Sequence, residues 1–79
     1  MFVELDIEDI VVLENVKDIK VFKSINSIAS HYNIPLEMIK HNIRSNKMYK
    51  MIGRGVEGLE SNKTGKSIIC MDLQTAMRL

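Results

Sequence analysis

The stretch Ser24–Ser45, SINSIASHYNIPLEMIKHNIRS, decides how this chain is read. Ile25, Ile28, Ala29 and Tyr32 recur at i, i+3, i+4 and i+7, the spacing that puts four side chains on one face of a helix. Asn26, Ser27, Ser30 and His31 fall on the opposite face. Ser24 is placed to cap the helix by accepting from a first-turn N–H, and Phe22 offers an apolar anchor just ahead of it. Asn33 tolerates the left-handed backbone that ends many helices, and Pro35 at a first helical position loses no hydrogen bond. A second helix then buries Leu36, Ile39 and Ile43 while turning Glu37, Met38, His41, Arg44 and Ser45 outward, with Lys40 near the boundary.

Working outward, the segments before Ser24 read as strands. FVELDI and IVVLEN alternate in places, VKDIKVF is a further β-prone run, and Glu14 to Asp18 forms a polar reversal between the last two. A β-hairpin leading into the first helix is the expectation. Beyond Ser45, Met48 to Ile52 is an apolar segment that reads as strand, and Gly53, Gly55 and Gly58 interrupt regular structure. SNKTG from Ser61 to Gly65 reads as a turn, Ser67 to Met71 as another strand, and Asp72 as the cap of a short final helix. The pattern predicts a single α+β domain over residues 1–79, with the hairpin in 1–23, a helix-turn-helix in 24–45, and a β-hairpin wing plus short C-terminal helix in 46–79. This is a small winged-helix-like architecture.

Composition sets the bounds. The 79 residues are 46% apolar, too many for a disordered chain. No apolar run approaches the roughly 18 residues needed to cross a bilayer, so no membrane association is expected. The start, MFVELDIEDI, is acidic and lacks the basic and apolar segments of a secretory signal. With one cysteine, Cys70 in the apolar run SIICMDL, a buried thiol in a reducing cytoplasm is the simplest inference. A chain this short buries a modest share of its surface, which makes a homodimer a natural supplement.

The net charge of +1 conceals a strong asymmetry. From Met1 to Asp18 the acids Glu4, Asp6, Glu8, Asp9, Glu14 and Asp18 face only Lys17. From Ile19 to Arg54 the bases Lys20, Lys23, Lys40, Arg44, Lys47, Lys50 and Arg54 face only Glu37. The basic stretch suits a phosphate backbone and a salt-sensitive affinity. Arg54, Lys63 and Lys66 would lie on or beside the wing loop, within reach of an adjacent phosphate or groove.

The sequence VFKSINSIASHYNIPLEMIKHNIRSNK resembles the helix-turn-helix unit of nuclease-associated modular domains and of small phage regulators. The residues that carry the likeness are Phe22, Ser24, Ala29, Asn33 with Ile34, and Ile39. It covers about a third of the chain, and Ile28, Asn33 and Pro35 depart from the family's commoner Ala, Gly and Ser. The resemblance implies that Glu37, Lys40, His41 and Arg44 enter the major groove of double-stranded DNA, with Lys47 beside them. Arg44 would pair with guanine or hold a phosphate, Lys40 would do either, and Glu37 would accept from cytosine N4. Asn42, nearer the flank, is the weaker candidate for adenine.

Sharper chemistries fail on their own terms. TGKS at Thr64–Ser67 resembles the end of a phosphate-binding loop, but Glu60 stands where that loop needs glycine. His31 and His41 lack the spacing and company of a zinc site. No nucleophile stands beside a base in sequence, so no catalytic residues, no metal and no cofactor are expected, and the chain reads as a non-enzyme. The competing function is a small adaptor or inhibitor, of the kind a phage encodes to act on a host protein, that docks through Glu8, Asp9 and Glu14.

Overall fold

The computed structural model describes residues 9–60 and 65–78. In chain order they form β1 (Ile10–Glu14), β2 (Asp18–Phe22), α1 (Ile25–Tyr32), α2 (Leu36–Met51), β3 (Leu59–Glu60), β4 (Ser67–Asp72) and α3 (Leu73–Ala76). The strands make one sheet in the order β2-β1-β4-β3, and every neighbouring pair is antiparallel. The α+β class and the leading hairpin match the expectation, while FVELDI lies outside the described residues. No described helix is long and apolar enough to cross a membrane.

Residue parity along the two central strands explains the layering. Ile10, Val12, Ile68 and Cys70 point to one face, where Ile28, Tyr32, Ile34 and Ile39 of the helical layer close over them. Val11, Ile69 and Met71 point to the other face and meet Leu13, Val56, Leu73 and Ala76. Both faces of β1 and β4 are therefore covered, which is why IVV and IICM are continuous apolar runs rather than alternating ones.

Local chemistry sets the helix boundaries. Ser24 accepts from the Ser27 N–H at 3.2 Å, and Asn33 takes the left-handed conformation (φ 54°, ψ 48°) that stops α1. Pro35 stands one place earlier than expected, as the extended residue before α2, and its carbonyl accepts from Met38 and Ile39. Met48 to Ile52 is not a strand. The run Lys47–Met51 holds good helix formers and no breaker, so α2 continues to Met51. Gly53 (φ 75°) then ends it, with its N–H on the Lys50 carbonyl and the Arg54 N–H on the Tyr49 carbonyl at 2.7 Å. Those paired bonds satisfy the last turn as a glycine-capped helix end requires. β4 pairs instead with Leu59–Glu60 on one side and β1 on the other. Of the expected turn SNKTG, only Gly65 (φ 69°) is among the described residues.

The tip of the first hairpin carries strain. Asn15 and Val16 both adopt positive φ (53° and 68°), and Val16 is exposed. Asparagine tolerates that region, whereas a β-branched side chain crowds its own carbonyl there. Val16→Asn is expected to raise stability by about 1 kcal/mol. In urea unfolding this reads as a higher midpoint at unchanged slope, and a midpoint at or below that of the parent would contradict the strain.

Candidate nucleic-acid interface on α2

The outward face of α2 is set by what its inward face holds. Asn42 and Asn46 lie one turn apart on the same side as Ile39, and both are buried. Asn42 Oδ1 accepts from the Cys70 N–H at 2.9 Å while its Nδ2 donates to the Glu57 carbonyl at 3.0 Å. Asn46 mirrors it: Nδ2 donates to the Cys70 carbonyl at 2.7 Å, and Oδ1 accepts from the Glu57 N–H at 2.7 Å. A further bond runs from Asn46 Nδ2 to Asn42 Oδ1 at 3.2 Å. The register that pairs Leu59 with Ile68 would next pair Glu57 with Cys70. The two carboxamides occupy that gap, replacing one rung of the ladder with side chains from the helix. Gly58 beside them leaves no room for a Cβ without pressing on the Ile68 carbonyl, at 3.2 Å.

With that face fixed, Lys40, Arg44 and Lys47 fall at i, i+4 and i+7 along the outside of α2. Lys40 is half-buried and lies 3.8 Å from Glu37. Arg44 and Lys47 are exposed, and among the described residues no carboxylate lies within ion-pair distance of either. Glu37 and His41 are exposed beside them, with Ser45 Oγ 3.4 Å from His41 Nε2. Met38, Met48, Met51 and Ile52 are also exposed, a feature the apolar spacing did not foretell for Met51 and Ile52. At the helix end the Arg54 guanidinium stands 5.4 Å over the Tyr49 ring, on an open groove of about 270 Å3 also lined by Gly55, Val56 and Glu57. The groove is smaller than the usual enclosed small-molecule site.

Three more of the residues expected to act at a surface, Lys66, Asp9 and Glu14, bond within the chain. Lys66, half-exposed just ahead of β4, donates to Glu14 Oε1 at 2.8 Å, so its ammonium is shared with β1. Glu14 itself is only 3% exposed and also accepts from the Tyr32 hydroxyl at 2.8 Å, with Lys20 at 3.2 Å. Asp9 is 2% exposed and takes the Lys23 ammonium at 2.9 Å. The expectation that Asp9 and Glu14 form an acidic docking surface is therefore corrected: each carboxylate is satisfied inside its own chain. Lys63 and Glu8 lie outside the described residues. Asn42 is likewise buried structure rather than a flank residue facing a base. The signal that could have revealed it is the presence of two asparagines one turn apart within the Ile39 and Ile43 stripe.

The bonds from Lys66 and then Tyr32, with Lys20 adding to them against the opposing effect of burial, hold the Glu14 carboxyl well below its ordinary 4.5, at about 2. Burial and then the bond to Glu14 push the Tyr32 phenol up. Burial likewise raises the Cys70 thiol to about 12, which makes it a poor nucleophile. Because Glu14 is depressed in the folded state, its stabilising effect is complete above 4.5 and is lost as pH falls toward about 2. Glu14→Gln is expected to unfold at lower urea than the parent near neutrality, with the gap closing across that acid range. A gap that stays constant with pH would show that the carboxylate charge contributes nothing.

Comparison of the chain with protein-family models, with curated proteins and with solved structures returned no match.

Proposed function

We propose that the protein binds double-stranded DNA, with the outer face of α2 in the major groove and with Arg44 and Lys47 on phosphate or base edges. The observation that carries this reading is the cationic row Lys40, Arg44, Lys47 on a helix held rigidly by its buried asparagines, with Arg44 and Lys47 lacking a described acidic partner. Basic side chains in one row neutralise backbone phosphates and release counterions on contact. His41 and Glu37 stand beside the row to read base edges, and exposed Met38 and Met48 offer apolar contact to thymine methyl groups. The β3–β4 hairpin plays the part of a wing, and Arg54 beside it reaches the flanking backbone. In this reading the chain is a small regulator, of the kind phage genomes encode, acting on a two-part site.

The experiment is a titration of the protein against random-sequence and selected duplexes over a range of salt. Affinity that falls steeply with salt, together with enrichment of particular sequences, supports a regulator. Absence of duplex binding at low salt overturns the reading. A second reading, a protein-binding adaptor, is favoured by the exposed Met38, Met48, Met51 and Ile52, since flexible thioethers suit adaptable protein contacts. Its surface is the helix α2 rather than the acidic amino-terminal residues.

A further inference from the structure

Strand β2 closes one side of the sheet, and among the described residues β1 alone pairs with it. Parity settles which of its backbone groups face outward. The Asn15 N–H donates to the Ser67 carbonyl at 2.8 Å, so odd-numbered residues along β1 address β4 and even-numbered ones address β2. The register Val12 with Lys20 and Glu14 with Asp18 then turns the even residues of β2 toward β1. The N–H and C=O groups of Ile19 and Val21 consequently point away from the sheet.

The side chains agree with an open edge. Ile19 is 69% exposed and Val21 42%, both on the face away from α1 and α2. Edge strands are commonly protected by proline, a bulge or an inward charge. β2 has no proline, and its Lys20 is engaged with Glu14 at 3.2 Å. Asp18 sits opposite Glu14 in the ladder, like charge facing like, and no described cation lies within ion-pair distance of it.

We propose that β2 pairs antiparallel with β2 of a second copy of this chain, about a twofold axis at Ile19. In that register Ile19 meets Ile19 of the partner subunit, and Val21 lies against the aliphatic stem of the partner's Lys17. Asp18 faces the partner's Lys20, and by symmetry this opposite-charge pair forms twice. The Asp18–Lys20 pairs take the closely spaced, non-hydrogen-bonded positions of the new ladder, whereas Ile19 and Val21 supply its main-chain hydrogen bonds. The axis stands perpendicular to the sheet, so the joined eight-stranded sheet carries both copies of α1 and α2 on one side. The proposal is independent of DNA binding.

The test is sedimentation of the full chain over a concentration series, with amide exchange at Ile19 and Val21 followed in parallel. Expected are a dimer, amide protection that rises with protein concentration, and at least about a 100-fold weakening of association by Ile19→Asp, which sets two negative charges face to face. Met48→Asp, on the outer face of α2, is expected to leave the dimer intact, and circular dichroism checks that both variants stay folded. Amides protected equally at every concentration would show that another segment of the same chain takes the edge, overturning the proposal. So would a dimer unaffected by Ile19→Asp, a dimer lost with Met48→Asp, or a chain that sediments as a monomer throughout.

Discussion

Asn46→Ala is expected to lower the unfolding free energy by about 3 kcal/mol, a loss comparable to removing a large core side chain. The substitution strips partners from the Cys70 carbonyl, the Glu57 N–H and the Asn42 carboxamide. Asn46 is fully buried, so water does not replace those partners without opening the sheet. Each stranded buried group costs about 1–3 kcal/mol, and the smaller end applies where the loop at Glu57 relaxes toward solvent. Asn46→Asp is expected to fare no better. The carboxylate keeps the acceptor for the Glu57 N–H but has no donor for the Cys70 carbonyl, and it adds a buried charge. Chemical denaturation of the two variants against the parent measures both effects. A loss under about 0.5 kcal/mol for Asn46→Ala would show that the amide bridge carries little of the stability.

The second large effect concerns binding. Arg44→Ala with Lys47→Ala is expected to weaken duplex affinity by about 60-fold at 0.1 M salt if each cation neutralises one phosphate, since each contact scales with salt to a power of about 0.9. The same count predicts that the slope of log affinity against log salt falls by about 2 in the double variant. Both side chains are exposed and without a described ion pair, so the fold is expected to be unaffected, with an unchanged thermal transition. A double variant that binds duplex with the parent's affinity and slope would remove α2 from the interface. Lys40→Ala should matter less, because Glu37 already offsets part of its charge at 3.8 Å.

Whether a residue's role is legible in the sequence depends on how far along the chain its partners lie. Ile25, Ile28, Ala29 and Tyr32 are legible because a helix repeats its contacts every three or four residues, so local spacing carries the information. Asn33 and Ser24 are legible because their roles are written in their own backbone chemistry. Asn42 and Asn46 are not, because their partners lie at Glu57 and Cys70, up to 28 residues away in the chain. Glu14 fails for the same reason: its partners Tyr32 and Lys66 are 18 and 52 positions distant. A carboxylate in an acidic stretch reads as surface until the fold delivers cations to it. The length of α2 was available in principle, since Gly53 is the first breaker after Pro35 and marks the helix end better than the apolar run before it.

The replaced rung between Glu57 and Cys70 has a bearing on how the molecule assembles. β1, β2 and β4 join through ordinary main-chain pairing. The segment leading into β3 does not, because at Glu57 it meets the sheet through carboxamides delivered by α2. β3 keeps its main-chain pairs only at Leu59 and Glu60, so undocking α2 is expected to release the segment at Glu57 and leave the fourth strand with that short hold on the sheet. A groove or partner that holds α2 still would thereby also slow the breathing of a strand it never touches.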